Sequence, residues 1–138
     1  MPVKGYEDLV VWQKGIELAK EIYRVAGRFP STERFGLVTQ MQRAAVSVPS
    51  NIAEGQSRRT TGEFRQFLYH ALGSLAELDT QLILARELGY LKADDSRLAA
   101  SLVEELRRMT HALVNRLPTN RRSSRDSPAG LRPRATGH

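Results

Sequence analysis

The 138-residue chain contains no cysteine, which excludes disulfides, thiolate metal sites and cysteine nucleophiles. Its three histidines, His70, His111 and His138, are scattered, so we expect no zinc site. The longest apolar runs have four residues, as at 9–12. A membrane span needs about 20 apolar residues and a signal peptide an apolar stretch of about 7–15. We therefore expect a cytoplasmic protein with no membrane segment, no metal and no cofactor.

The chain has little excess positive charge outside its C-terminal end. Residues 1–117 hold 16 basic and 14 acidic side chains, which is a net charge of +2 out of the total of +6. Residues 118–138 hold five arginines and one acid. This end is rich in Arg, Ser, Pro and Gly and has almost no apolar residues, so it cannot bury enough surface to fold. The sequence predicts one domain at 1–117 and a disordered Arg-rich tail at 118–138.

Four segments have apolar residues at steps of three and four, the spacing of an amphipathic helix, and none has the alternation of a strand. The four series are Leu9, Trp12, Ile16, Ala19, Tyr23 and Ala26; Val38, Met41, Ala45, Val48 and Ile52; Phe64, Leu68, Ala71, Leu75, Leu78, Leu82 and Ala85; and Leu98, Leu102, Leu106, Met109, Leu113 and Leu117. Short connections join the segments, and these favour antiparallel neighbours. We therefore predict an all-α protein, an up-down-up-down antiparallel four-helix bundle.

Four residues mark expected helix ends or breaks. Pro49 lies inside the second series and lacks a backbone N–H, so it is predicted to kink or split that helix. Thr60 and Glu63 have the spacing of a capping box at the start of the third helix. Gly89 is placed to end the third helix.

The chain lacks the motifs of common catalytic sites. It has no Gly-rich phosphate loop, no GxSxG sequence and no HExxH sequence, which mark phosphate, serine-nucleophile and zinc sites respectively. The paired carboxylates at 94–95 and 104–105 are explained by a helix N-terminus and by an exposed helix face. We expect no catalytic residue and a protein that is not an enzyme.

Two helices carry a second stripe of mostly polar residues. The stripe of the second helix lies roughly opposite its apolar face, and that of the third helix lies beside its apolar face. The stripe of the second helix holds Arg43, Ser47, Ser50, Asn51, Glu54 and Arg58, and that of the third holds Phe67, His70, Ser74, Glu77 and Gln81. A solvated face is one interpretation. Ser and Asn are weaker helix formers than Glu, Lys and Gln, which usually fill such a face. The alternative is therefore contact with a partner subunit or ligand, with Arg43 and Glu77 making polar contacts within or between subunits.

Three arginines, Arg58, Arg59 and Arg65, lie around the turn before the third helix. Because a helix N-terminus favours anions, this turn is a candidate phosphate-binding corner, although solvated arginines are also common at such turns. No aromatic residues are interleaved with the arginines as a base-stacking platform would require. With Arg43, they predict contact with a nucleic-acid backbone and no reading of bases.

The stretch from Tyr6 to Leu91 resembles a known family. The resemblance rests on 6–9 with Trp12, the block 42–55 (QRAAVSVPSNIAEG), Phe64, the pair 67–68, the block 73–78 (GSLAEL) and the closing 88–91 (LGYL). It is similar to the four-helix-bundle proteins encoded in the intervening sequences of bacterial 23S rRNA genes, a family that includes the accessory variability protein of diversity-generating retroelements.

The resemblance implies an up-down-up-down bundle, assembled as a ring-like homopentamer with a basic surface and a central channel. It also implies, for the retroelement branch, binding of nucleic acid and of a reverse transcriptase, and it supplies no catalytic residue. Our first hypothesis is a non-enzymatic oligomeric protein that binds RNA or DNA through backbone phosphates. The alternative is a protein-interaction or adaptor module, such as the accessory protein of a retroelement reverse transcriptase.

Overall fold

A computed structural model describes residues 5–119 of the chain. Within this range lie four helices, α1 (Val10–Ala26), α2 (Leu37–Gln56), α3 (Thr61–Glu87) and α4 (Ala93–Arg116), and two short 3₁₀ turns, Tyr6–Asp8 and Ser31–Glu33. No residue of 5–119 belongs to a strand, and the predicted all-α class is confirmed. The tail predicted to be disordered lies outside the described residues from position 120 onward.

The four helices form a closed antiparallel bundle. Each helix packs against its neighbour in sequence, and α1 also packs against α4, whereas the diagonal pairs are apart. This is the up-down-up-down arrangement that the short connections predict. The interior is filled by fully buried aliphatic side chains from all four helices, the largest being Leu18, Ile22, Met41, Ile52, Leu68, Leu75, Leu78, Leu82 and Leu106.

Helix α1 has two neighbouring apolar faces. Its buried face holds Val11, Leu18, Ile22 and Val25. The series predicted from the spacing does share a face, but it is the second one, on which Ile16 is 37% exposed and Tyr23 is 51% exposed. Two apolar series offset by one or two residues have the same period, so periodicity cannot tell which of them is buried.

Pro49 does not split α2, which continues as one helix from Leu37 to Gln56. The proline is buried and faces α1, where a Cβ added to Gly15 would lie 3.2 Å from the Pro49 Cβ. Glycine at this position therefore lets the two helices approach closely. We attribute the continuity of α2 to this packing, which offsets the missing backbone hydrogen bond.

Both predicted ends of α3 are confirmed, but only one of the two hydrogen bonds of the predicted capping box is present at its start. The Thr60 hydroxyl accepts a hydrogen bond from the Glu63 N–H at 3.1 Å. At the other end Gly89 has a φ of 79°, a left-handed conformation that glycine adopts without strain. The N–H groups of Gly89 and Tyr90 donate to the carbonyls of Arg86 and Ala85 at 3.0 and 2.9 Å, which is the Schellman pattern.

One ion pair connects α1 to α4, and a second connects the turn after α1 to the start of α4. Lys14 lies 3.4 Å from Glu105, and Arg28 lies 3.4 Å from Asp95. The contact with Glu105 is the main reason that the pKa of Lys14 is raised. These pairs are partly exposed, so each adds little to stability, but they fix which edges of the two helices meet.

A single carboxylate joins the start of α2 to the loop between α3 and α4. Glu33 accepts the Leu37 N–H on Oε1 at 3.1 Å and the Tyr90 hydroxyl on Oε2 at 2.8 Å. These bonds, that from the Leu37 N–H first, lower the pKa of Glu33 from its ordinary value of 4.5. Because the folded state favours the charged form, this stabilisation is fully present above the ordinary pKa and is lost as pH falls through the lowered one.

We therefore expect Glu33→Gln to lower the free energy of unfolding by a constant amount near neutral pH. The difference from the wild type should shrink as the pH falls below about 4.5, since protonation removes the same charge. Urea unfolding of both proteins across this pH range measures the difference in the free energy of unfolding. Glu87→Gln, at an exposed glutamate without a polar partner among residues 5–119, is the control. A difference that stays constant down to strong acid would contradict the assignment.

Candidate nucleic-acid interface

One end of the bundle, where α2 and α4 end and α3 begins, holds the three predicted arginines, Arg58, Arg59 and Arg65. We call this set the arginine corner. Arg58 and Arg59 belong to the short connection between α2 and α3, and Arg65 lies in the second turn of α3. The structure gives the three side chains different surroundings.

Arg65 is bound to the end of α4. Its Nη2 donates to the carbonyl oxygens of Pro118 at 2.8 Å and of Leu117 at 3.3 Å. A cation at this place satisfies carbonyls that lack helical partners and interacts favourably with the negative end of the helix dipole. The structure thus gives Arg65 a structural role, whatever its part in binding a ligand.

We expect Arg65→Ala to lower the free energy of unfolding by about 1–2 kcal/mol, because it removes charge-assisted hydrogen bonds from partly buried groups. Arg59→Ala should change it by less than about 0.5 kcal/mol, as is usual for an exposed side chain. Urea denaturation of both variants measures the difference. Equal stability of the two variants would show that the contact with α4 contributes nothing.

Arg58 lies over an aromatic ring. Its guanidinium carbon is 4.8 Å from the centroid of the Phe67 ring, and its Nη2 lies 2.7 Å from the Glu54 carboxylate. The His70 ring packs against the same Phe67 ring, with the two ring centroids 5.9 Å apart. The fold thus places Phe67, nine positions further along the chain, beneath Arg58. Because the guanidinium covers this ring, the contact does not make the base-stacking platform whose absence the sequence predicts.

Arg59 is exposed and has no hydrogen bond or ion pair with any residue of 5–119. It directly precedes Thr60, the N-cap of α3. The Thr60 hydroxyl is used by the Glu63 N–H, while the N–H groups of Thr61 and Gly62 have no hydrogen-bond partner in the described part of the chain. Arg59 is thus the member of the arginine corner whose cation is free for an anion next to unpaired N–H groups.

The polar stripe of α2 was expected opposite the apolar face, but part of it faces α3. The hydroxyls of Ser47 and Ser74 are hydrogen-bonded to each other across the two helices. The Asn51 amide donates back to the Ser47 carbonyl at 2.8 Å, and Gly55 lies against α3, where an added Cβ would meet Phe67 at 2.8 Å. Small side chains here let α2 and α3 pack closely, which gives this half of the stripe a structural explanation.

The rest of the stripe lies outward. Ser50 is exposed, and so is Glu54, which pairs with Arg58. Arg43 is exposed without a polar partner among residues 5–119. Glu77 accepts a hydrogen bond from the buried Gln81 amide at 3.3 Å. The predicted contacts of Arg43 and Glu77 between subunits stay predictions.

Two features of this surface were not found from the sequence. The contact between Arg58 and Phe67 depends on how α3 rotates after the turn, and no local motif signals that angle. The exposure of Ile16 and Tyr23 on α1 could not be predicted, because their spacing is also that of a core series.

Other site types find no support in the described part of the chain. No three His, Asp or Glu side chains of residues 5–119 are grouped so that they could hold a metal ion. None of the four helices between residues 5 and 119 is both long enough and apolar enough for a membrane span.

The family model described as 23S rRNA-intervening sequence protein matches residues 7–112, about three quarters of the chain. The chain belongs to this family. The match covers the arginine corner, both polar stripes and most of α4, and it ends before the Arg-rich residues of 118–138. The comparison with curated proteins found no match. Membership of the intervening-sequence family agrees with the resemblance carried by the blocks 42–55 and 73–78.

Proposed function

We propose that this intervening-sequence family member is a non-enzymatic homo-oligomer in the cytoplasm that binds RNA or DNA through backbone phosphates. The observation that carries the proposal is the free, exposed guanidinium of Arg59 beside the unpaired N–H groups at the start of α3. Cations and helix N-termini both favour phosphate oxygens. Arg58, held over Phe67, adds a second exposed guanidinium to the same corner.

One chain is only weakly basic, so the proposal includes assembly into an oligomer, which presents more positive charge to one ligand. Residues 1–117 carry a net charge of +2 and residues 118–138 a net charge of +4. Each added copy, up to the five of the pentamer that the resemblance implies, brings another corner and another set of tail arginines to the same ligand. Multivalent contact of this kind raises affinity without a new type of contact.

The salt dependence of affinity tests the proposal. We expect the full chain to bind a mixed-sequence RNA tightly at low salt and progressively more weakly as salt rises, because binding to phosphates releases counterions. Fluorescence anisotropy at several salt concentrations measures this. Affinity that does not change with salt, or no binding at the lowest salt, would refute it.

A shortened chain separates the two basic regions. A variant that ends at Thr119 keeps the Leu117 and Pro118 carbonyls that Arg65 binds and removes all five tail arginines. If this variant still binds RNA, the bundle itself contains a binding site. If it no longer binds, the tail is responsible and the arginine corner has no part in the proposed function.

A second candidate is a protein-interaction module, for example an adaptor for a reverse transcriptase. One observation favours it: the 20 residues of α2 include only two charged side chains, Arg43 and Glu54. Interfaces between proteins are depleted of charge at their centre, whereas nucleic-acid interfaces are not. A reverse transcriptase gene beside this one, and capture of that enzyme by the purified chain in the absence of RNA, would favour the second candidate.

A further inference from the structure

The chain leaves α4 directly beside the arginine corner. Helix α4 ends at Arg116, and the next residue, Leu117, has an extended backbone with φ −67° and ψ 140°. The carbonyls of Leu117 and Pro118 accept hydrogen bonds from Arg65 of the arginine corner at 3.3 and 2.8 Å. Residues 118–138, with five arginines and one acid, are therefore joined to the bundle at the arginine corner itself.

The length of the chain limits how far the first tail arginines lie from this corner. Arg121 and Arg122 are three and four residues after Pro118, and a chain spans at most about 3.6 Å per residue in any conformation. Their Cα atoms are therefore within about 11 and 15 Å of the Pro118 Cα. A duplex strand advances about 3.4 Å per phosphate, so about five consecutive phosphates of one strand cover this distance.

The two ends of the bundle treat their positive charges differently. At the end away from the arginine corner, three arginines are paired with acids: Arg24 with Glu21, Arg28 with Asp95, and Arg97 with Asp94. At the end where the tail begins, Arg58 is paired with Glu54. Arg59, Arg65 and Arg116 there have no ion pair with any residue of 5–119. Positive charge without acidic partners is thus concentrated where the five tail arginines are attached.

Such a concentration of like charge is unfavourable by itself. Arginines within about 15 Å of one another repel, although salt weakens the repulsion beyond about 8–10 Å. A polyanion that contacts all of them removes this repulsion and releases its own counterions. Two basic regions held at one place also bind one ligand more tightly than either alone, because the second contact forms within the same complex.

We propose that the arginine corner and the arginines of residues 118–138 form one composite site for a single stretch of nucleic-acid backbone. This inference rests on the proposed function and deepens it, since it names the parts of the chain that hold the same strand. The contact of Arg65 with the end of α4 places the start of the tail beside Arg58 and Arg59. The bundle and the tail therefore contribute to one affinity.

A spacer inserted into the full chain tests whether the attachment at the arginine corner matters. About 20 Gly and Ser residues placed after Thr119 keep every arginine and leave the Leu117 and Pro118 carbonyls with Arg65. We expect RNA affinity to fall several-fold, because a longer flexible linker lowers the effective concentration of the tail. The slope of log affinity against log salt should be unchanged, since the phosphate contacts are the same in number.

The matched control is the same spacer placed after His138. It adds the same residues to the chain but does not separate the tail from the arginine corner, so RNA affinity should equal that of the wild type. Fluorescence anisotropy with one RNA compares the two spacer variants, and circular dichroism melting verifies that both fold.

A second comparison combines Arg59→Gln with removal of the tail after Thr119. In a composite site both parts hold the same RNA, so each change alone lowers the affinity and Arg59→Gln costs a similar factor with or without the tail. In two separate sites the tighter one sets the affinity of the full chain, so the change at the weaker one has no effect.

The inference is overturned if the spacer after Thr119 does not weaken binding relative to the spacer after His138. It is also overturned if removal of the tail or Arg59→Gln leaves the affinity of the full chain unchanged. The proposed function is judged separately by the wild type. Salt-dependent RNA binding that ignores the spacer refutes the composite site alone, whereas a wild type that binds no RNA at low salt refutes both.

Discussion

Gly55→Ala is expected to lower the free energy of unfolding by about 1–2 kcal/mol, whereas Gly73→Ala, in the next helix, should raise it by about 0.5–1 kcal/mol. A Cβ on Gly55 would lie 2.8 Å from both Phe64 Cδ1 and Phe67 Cβ. These contacts are shorter than real Cβ atoms show, so α2 and α3 must move apart. A Cβ on Gly73 meets nothing within 4 Å, and alanine is the better helix former there.

Urea denaturation of the two variants and the wild type measures both changes. The substitution is glycine to alanine in both variants, and both positions lie inside helices. Helix propensity alone therefore predicts that both substitutions raise the free energy of unfolding. Opposite signs therefore isolate the close packing of α2 on α3. Stabilisation by both substitutions would contradict this packing, and with it the placement of Phe67 beneath Arg58.

Arg59→Gln is expected to weaken RNA binding at least about tenfold and to reduce the slope of log affinity against log salt by about 1 for each copy that contacts the RNA, since it removes one phosphate contact per copy. Arg86→Gln should leave both quantities nearly unchanged. Arg86 is also an exposed arginine without a polar partner in residues 5–119. It lies in the last turn of α3, where the helix dipole disfavours an anion.

Fluorescence anisotropy with the same RNA, at matched salt concentrations, compares the two variants with the wild type. Each removes one positive charge from one end of α3, so the overall charge is the same in both. A similar loss of affinity in the two variants would mean that binding depends on total charge alone. The arginine corner would then not be the binding site.

The helices could be predicted from the sequence because their signals are local. The third series is regular from Phe64 to Ala85, and Thr60 and Gly89 supply a cap and a left-handed residue at its two ends. Short connections then leave few ways to arrange four helices. Both the all-α class and the antiparallel order follow from features that span at most a few neighbouring residues.

What could not be predicted depends on residues far apart in the chain. Pro49 was expected to kink or split α2, but α2 continues as one helix, and its Pro49 packs against Gly15 of α1. Arg65 was interpreted as a phosphate ligand, and its bonds to the Leu117 and Pro118 carbonyls appear only when α3 and α4 are packed together.

The two apolar series of α1 show the same limit for apolar residues. The spacing correctly placed Trp12, Ile16 and Tyr23 on one side of α1, but the buried side is set by Leu18 and Ile22. Both series satisfy a helical period, and the choice between them depends on how many neighbours each one meets in the bundle.

Dual-wavelength sedimentation velocity of the full chain mixed with a short RNA at low salt tests the central claim, that several copies together bind one polyanion. We predict that the RNA sediments with a species that contains more than one chain, and that this complex separates as salt is raised. Protein that sediments as single chains apart from free RNA at low salt would contradict the account.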